Sequence, residues 1–325
     1  LEAQKILKAR RIRMDTTVVE SNIEYPTDAG LLAKGIRKVN RLVQNLEEAG
    51  VKVARDFVYH GRAVKKRLLE ISKVTVKRTG EAIQAVNQIT SELVKVAQDT
   101  LKRAGSVVRG AKVALAKGNQ RVKGRIIDEL QKTREILKQV IEQAQMVIAG
   151  NRHIPNRLVS IYDLKARPIK KGKRGKPVEF GRKVSVHTNE QGLVTGWRVY
   201  EGNPSDNTTV IESMEQFTET TGQKPREGAY DRGGYSRSVE EACLEKGVRL
   251  AIPKVGKKDA TRRDYERKAW FKKLQRWRAG VEGKISVLKR RYRWNRATSR
   301  KDGNTERTVA WGAIAHNLDL IPRLA

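Results

Sequence analysis

Three observations in this 325-residue chain predict a mixed α/β sheet with helices on its faces, interrupted by a long all-helical block. Apolar residues alternate with a period of two near the start and return as short runs after residue 158. Between these stretches they recur at about 3.6 residues, the helical period. Beyond residue 176 a hairpin pattern is followed by helix, strand, helix, strand and helix, the order of βαβ connections in a mixed sheet. The division expected is residues 1–29 as the first strand of one domain, 30–150 as a helical insertion, and 151–325 as the remainder of the first domain.

Element by element, Ile12, Met14, Thr16 and Val18 alternate with Arg13, Asp15, Thr17 and Val19, so the segment Arg10 to Val19 reads as a strand with Asp15 and Met14 on opposite faces. Tyr25-Pro26-Thr27-Asp28 ends it, and Thr27 or Asp28 suits a helix N-cap. Ile36, Val39, Val43 and Leu46 form one helical stripe; Ile126, Leu130, Leu137, Val140, Ile141, Ala144 and Ile148 form another, with breaks expected near Gly50, Gly80, Gly105 to Gly110 and Gly118. Two readings of this block stand, a bundle with a solvated basic face and a DNA-contacting or dimerising insertion. Leu158 to Tyr162 reads as a short strand ending at Asp163, and the cation-dense run Lys165 to Lys176 as a loop. Val178–Thr188 and Leu193–Glu201 flank Asn189-Glu-Gln-Gly192 as a hairpin. A helix capped by Asp206 or Asn207, a strand from Arg226 to Asp231, a helix from Ser236 to Lys246 and a strand from Arg249 to Pro253 follow. The chain then reads as a long helix from Asp264 to Trp294 and a last one from Glu306 to Leu320.

Net charge is +33, near zero over residues 1–29, about +14 over 30–150 and about +19 over 151–325. Repulsion on that scale opposes compactness unless a polyanion is close, and nucleic acid is the commonest large one. No apolar run approaches a membrane span or a signal peptide, so a membrane is not an expected partner. One cysteine, Cys243, excludes an internal disulfide and a thiolate zinc cluster and suits a reducing cytoplasm.

Three acids stand where side chains can converge: Asp15 in the first strand, Asp231 at a strand end beside Gly233 and Gly234, and Glu282 on the long helix. Arg278, Glu282 and Lys289, spaced by four and seven residues, share one helical stripe. Three carboxylates without a Cys-His set suit Mg2+ or Mn2+ better than zinc. His60, His153, His187 and His316 have no metal-ligand spacing, and no phosphate-binding glycine loop or nucleophile triad is present. Asp163 also ends an apolar run, but the Thr-Thr-Val-Val after Asp15 favours a strand there.

Four blocks together resemble a DDE transposase of bacterial insertion sequences, close to the ISNCY group: Asp15-Thr-Thr-Val-Val-Glu-Ser-Asn-Ile-Glu-Tyr-Pro-Thr-Asp28, Arg167 to Gly181, Tyr230-Asp-Arg-Gly-Gly-Tyr235, and Arg278-x3-Glu282-x6-Lys289. The resemblance implies a ribonuclease H-like fold with Asp15, Asp231 and Glu282 as catalytic, metal-holding acids. It implies cleavage at transposon ends and strand transfer into target DNA, with two metal ions about 3.5 to 4 Å apart. Double-stranded DNA, as transposon end and as target, is then the partner; a homodimer on DNA and a cytoplasmic, nucleoid-associated location are expected. Arg278 and Lys289 would clamp phosphates, and Lys170, Lys171, Lys173, Arg174, Lys176 and Lys183 would track the DNA backbone. Trp270, Trp277 and Trp294 fit either core packing or stacking on unpaired bases. Two departures stand out: Gln275 occupies the place of a family tyrosine, whose role could pass to Tyr265, and two glycines precede Tyr235 where one is usual. A chain opening on Leu1 would lack the upstream end-binding region of such enzymes. The competing functions are a structure-specific nuclease of the same fold and a non-catalytic DNA-binding protein.

Overall fold

The computed structural model describes residues 7–51, 57–77, 79–114, 120–151, 153–170, 177–298 and 303–324. The chain forms two compact units, Leu1–Asn22 with Lys165–Ala325, and Ile23–Leu164.

The first unit is built on a six-stranded mixed sheet, the α/β class that the alternating patterns predict. Its central strand is β1 (Arg11–Glu20). Antiparallel to β1 runs β3 (Val178–Thr188), with Asp15 opposite Val186. On the other side β5 (Glu227–Ala229) runs parallel, with Arg13 opposite Ala229. Beyond β5 lies β6 (Arg249–Ala251), again parallel, while β2 (Arg167–Lys170) and β4 (Val194–Val199) both pair with β3. Because successive side chains on β1 point to opposite faces, Ile12 and Met14 pack under α5 (Asp206–Thr221) and α6 (Arg237–Glu245) with Phe217, Tyr230 and Cys243. Val19 joins Val184, Val186, Leu288, Trp294 and Val309 under α8 (Ala269–Arg291) and α9 (Asn304–Leu320).

Local chemistry departs from the sequence reading in three places here. The helix expected from Asp264 to Trp294 is two helices: α7 (Ala260–Arg267), capped by Asp259, ends at Lys268, whose extended ψ of 140° restarts the chain as α8. Tyr265 closes this corner edge-on against Trp270 and Phe271 at 5.5 and 5.7 Å. Part of the expected basic loop is instead the strand β2, because Ile169 is buried and pairs opposite Glu179; Pro168 is tolerated on an edge strand. The cap of α5 is Ser205, with Asp206 already in the first turn.

The second unit contains α1 (Asp28–Glu48), α2 (Gly61–Val74), α3 (Gly80–Ala114) and α4 (Gln120–Ile148). Thr27 caps α1, its hydroxyl accepting from the Gly30 N–H at 3.1 Å. Ile36, Val39, Val43 and Leu46 of α1 meet Leu130, Leu137, Val140, Ile141 and Ala144 of α4 in one aliphatic core. The expected breaks at Gly105 and Gly110 do not occur. Burial of Ala104, Val107, Val108 and Ala111 carries α3 through them. Leu158 to Tyr162 is not a strand either: Gln143 serves both the N–H and the C=O of Leu158, and Ser160 Oγ accepts from the Tyr162 and Asp163 N–H groups. With those backbone groups met by side chains, nothing favours a ladder. Among the described residues this unit holds no strand, and no described helix of either unit is long and apolar enough to cross a membrane.

Candidate active site

The register of the sheet brings two acids together. Arg13 of β1 lies opposite Ala229 of the parallel neighbour β5, so Asp15 and Asp231, two residues further along each chain, extend past the paired segment at the same level. Asp15 is buried, and its Oδ1 accepts from the Thr16 N–H at 2.7 Å. Asp231 caps a 3₁₀ turn, Arg232–Gly234, by accepting from the Gly233 N–H at 2.9 Å. Space requires glycine at position 234, and at position 233 a side chain would crowd two carboxylates. A Cβ on Gly234 would stand 2.5 Å from the Tyr230 ring, and one on Gly233 would stand 2.9 Å from Asp206 Oδ2 and 3.1 Å from Asp231 Oδ1.

Helix α8 supplies the third acid and a cation. Arg13 donates from Nη1 to the Trp277 carbonyl at 3.2 Å and lies over the Trp277 ring. Gly280 permits this approach, since a Cβ there would fall 2.7 Å from Arg13 Nη1. One turn separates Arg278 from Glu282, and the Arg278 guanidinium reaches Asp15 Oδ2 at 2.8 Å, Glu282 Oε1 at 3.1 Å and Asp231 Oδ2 at 3.7 Å. Asp15, Asp231 and Glu282 thus surround one cation, from a side chain 11% exposed at Asp15 to one 68% exposed at Glu282. Asp163 belongs to the helical unit, Asp15 to the sheet unit.

The family model of the transposase DDE domain matches residues 155–318, half of the chain. The chain belongs to the DDE transposase family. Enzymes of this family are polynucleotidyl transferases that act on DNA and generally use divalent metals. The match takes in Asp231, Arg278 and Glu282, begins after Asp15, and does not distinguish the ISNCY group. No curated protein and no solved structure matches the chain.

Three carboxylates with no thiolate, as around Arg278 in this transposase, are a combination whose chemistry suits a hard cation. The place among them is held by Arg278, whose buried Nε has no hydrogen-bond partner. Charge, not a full set of hydrogen bonds, keeps it there. Among the described residues no three acidic, His or Cys side chains are gathered as a preformed metal site, so a metal would require Arg278 to withdraw.

The remaining sequence-predicted residues are scattered. Lys289 lies two turns beyond Glu282 on α8, half-buried, and Lys170 is exposed at the end of β2. Lys171, Lys173, Arg174 and Lys176 lie outside the described residues. Lys183 differs from its expected surface role: it is buried, with Nζ 2.6 Å from Asp206 Oδ1 and donating to the Pro204 carbonyl. Trp294 is also buried, its Nε1–H donating to the Val309 carbonyl at 3.1 Å, which leaves no face for a base. Gln275 donates to the Tyr230 and Ala251 carbonyls and so ties α8 to the ends of β5 and β6 beside Asp231. Tyr265 packs under the Arg262 guanidinium instead.

A fourth carboxylate, Asp206, escaped the sequence reading because it looked like a helix cap. Its Oδ1 accepts from the Thr16 hydroxyl at 2.9 Å, next to Asp15, while its other oxygen approaches Gly233 beside Asp231. Burial raises the Tyr230 hydroxyl pKa well above its ordinary value, and the charge of Asp206 adds to this, with smaller contributions from Asp15 and Asp231. On the opposite side of Asp15 burial lowers the pKa of Arg13, and burial together with the Arg13 charge lowers that of Lys284. The Asp-Asn-Thr-Thr run that follows Ser205 carried no signal beyond capping.

Proposed function

We propose that this DDE transposase cleaves DNA at transposon ends and joins the freed ends to target DNA, with Asp15, Asp231 and Glu282 as its catalytic acids. The observation that carries this reading is the convergence of the three carboxylates on the Arg278 guanidinium. Asp15, Asp231 and Glu282 would hold Mg2+ or Mn2+. Such an ion, when bound, activates a water or a DNA 3′-hydroxyl and stabilises the oxygen that leaves phosphorus.

The chain's own residues prepare that chemistry. The Thr16 N–H and the Lys183–Asp206 pair steady the β1 side of the site, and Gln275 fixes the strand end that carries Asp231. Arg278 offsets part of the three negative charges in the free protein. Its planar fork also matches two oxygens of a phosphate, so DNA entering the site offers the guanidinium a new partner as it leaves the acids. Lys289 adds a point charge further along α8, and Lys170 with the cations after it follows the DNA backbone. We assign the sheet unit, Leu1–Asn22 with Lys165–Ala325, to catalysis and the helical unit, Ile23–Leu164, to an insertion, in place of the expected boundaries at 29/30 and 150/151, and expect a homodimer on DNA in the nucleoid-associated cytoplasm.

Labelled DNA carrying the sequences that flank its own reading frame, incubated with a plasmid target and Mg2+, tests the reading. Wild-type protein is expected to cut and to join. Asp231→Ala and Glu282→Ala are expected to lose activity at least a thousandfold and to bind DNA within about twofold of wild type, because affinity comes mainly from phosphate contacts. Cutting without joining would identify a nuclease, and a variant retaining wild-type cleavage would remove that acid from the site.

A further inference from the structure

Where α8 ends against α9 the sheet unit carries a groove of about 480 Å³, a size usual for sites that take small organic groups. Arg291, Tyr292, Arg293, Arg307, Thr308 and Trp311 line it. Trp311 is 70% exposed, the most exposed tryptophan or phenylalanine among the described large hydrophobic residues, and the three arginines are exposed around it. Among the described residues none of these arginines is ion-paired with a carboxylate.

The groove is constructed, not incidental. Arg293 stands at φ 62°, a left-handed conformation at a helix end that ordinarily calls for glycine. It is held there because the next residue, Trp294, is buried and anchored through its indole N–H to Val309, and because Gly312 lets α9 close on the turn. A Cβ at Gly312 would fall 2.4 Å from the Tyr292 carbonyl oxygen and 2.5 Å from Trp294 Nε1. Tyr292 is tied to the far end of α9 by its hydroxyl, which donates to Asp319 at 2.6 Å. A strained backbone maintained by surrounding packing is a mark of a functional position, and here it displays a guanidinium beside an open indole face.

We propose that this groove takes an unpaired nucleotide of the DNA strand flanking the reacting phosphate, its base stacked on Trp311 and its phosphates met by Arg291, Arg293 and Arg307. The proposal rests on the DNA-processing reading above. An aromatic platform ringed by cations is the arrangement that single strands require, since every base has a π-face and every linkage a charge. Position supports it as well. Glu282 and Arg291 are nine residues apart on one helix, which at 1.5 Å per residue is about 13 Å, the rise of about four nucleotides in a strand. Ile314 and Leu318 are also exposed on α9, which makes a second copy of the chain the rival occupant of this face.

The test measures the affinity of the full chain, by fluorescence anisotropy, for a blunt duplex and for the same duplex with a single-stranded tail. Trp311→Ala is expected to weaken binding of the tailed DNA about tenfold and of the blunt duplex less than twofold, and Trp311→Phe to restore most of the loss. Arg293→Gly should raise the thermal midpoint by releasing the left-handed strain, yet flatten the salt dependence of tailed-DNA binding by about one unit of log–log slope. Equal losses on both DNAs, or no recovery with Phe, would overturn the proposal. A change of oligomeric state in Trp311→Ala would assign the face to a second copy and overturn it too. If wild-type protein binds neither DNA, the proposed function fails first. If it binds and cuts while Trp311→Ala binds tailed DNA normally, only the groove assignment fails.

Discussion

The two units bury different things. In the helical unit the core is aliphatic along its length, from Leu32 and Ile36 through Leu93 and Ala97 to Leu130 and Leu137, and Asp163 is the one buried carboxylate or cation among its described residues. The sheet unit instead buries Arg13, Asp15, Glu179, Arg182 and Lys183 beside its apolar clusters. Taking charges out of water costs several kcal/mol per ion unless partners are well placed, and apolar replacements are often no less stable. A unit that buries so many depends on their pairing, as Asp15 pairs with Arg278, Lys183 with Asp206 and Arg182 with Glu306. The helical unit, free of that demand, packs as helix propensity and apolar stripes direct.

The sharpest way to break this contrast is Arg278→Leu. It removes the guanidinium that lies 2.8 Å from buried Asp15, and the expected loss is about 3 to 4 kcal/mol in chemical denaturation. Asp15→Asn in the same chain should return a large part of that loss, and strictly additive effects would show that the pair is uncoupled.

Leu137→Ala probes the aliphatic unit, with an expected loss of about 3 kcal/mol from transfer and cavity terms. Gly35 faces the same side chain, and a Cβ there would lie 2.7 Å from Leu137 Cδ1. Gly35→Ala alone should therefore destabilise by about 1 to 3 kcal/mol, but should be tolerated in the Leu137→Ala background. A double-mutant cycle measures this; no coupling would mean that α1 and α4 do not interlock there.

Acidification should act on the sheet unit through His187. Its Nε2–H donates to Gln216 Oε1 at 3.0 Å and its Nδ1 lies 2.9 Å from Thr195 Oγ1. Burial pushes its pKa down to about 4, whereas the unfolded chain takes up the proton near 6.5. Between those values the unfolded state binds more protons, so stability is complete above about pH 6.5 and falls as pH drops towards 4. The loss by pH 5 should be about 2 kcal/mol, read as the difference in pH dependence between wild type and His187→Gln. Parallel profiles for the two would remove His187 as the cause.

The smallest effect expected is at the start of the helical unit, where Thr27→Ala should cost about 1 kcal/mol and Thr27→Ser almost nothing. Hydrogen exchange at the first turn of α1 should quicken in the alanine variant alone.

Local pattern was enough for most of the fold. The alternation around Asp15, the stripes of Ile36 to Leu46 and Leu130 to Ala144, the Thr27 cap and the hairpin about Asn189 are set by neighbours within a few residues. The same range reveals that Arg278 and Glu282 share a helix face. It misled where a distant group changed the local balance: Gln143 took up the backbone of Leu158, packing carried α3 through Gly105, the pairing of Ile169 drew a strand from a basic run, and the corner at Lys268 divided a helix.

What only the tertiary structure decided is which side chains meet. That Arg278 bridges to Asp15, far away in the chain, follows from the parallel pairing of β1 with β5 and from Gly280 admitting Arg13 under α8. The place of Asp206 beside Asp15 and Asp231, the burial of Lys183 and Trp294, and the exposure of Trp311 have the same origin. A strand or helix period specifies the face on which a residue lies, because it is set by the backbone's own geometry. What that face opposes depends on register and close approach between segments that the chain order keeps apart.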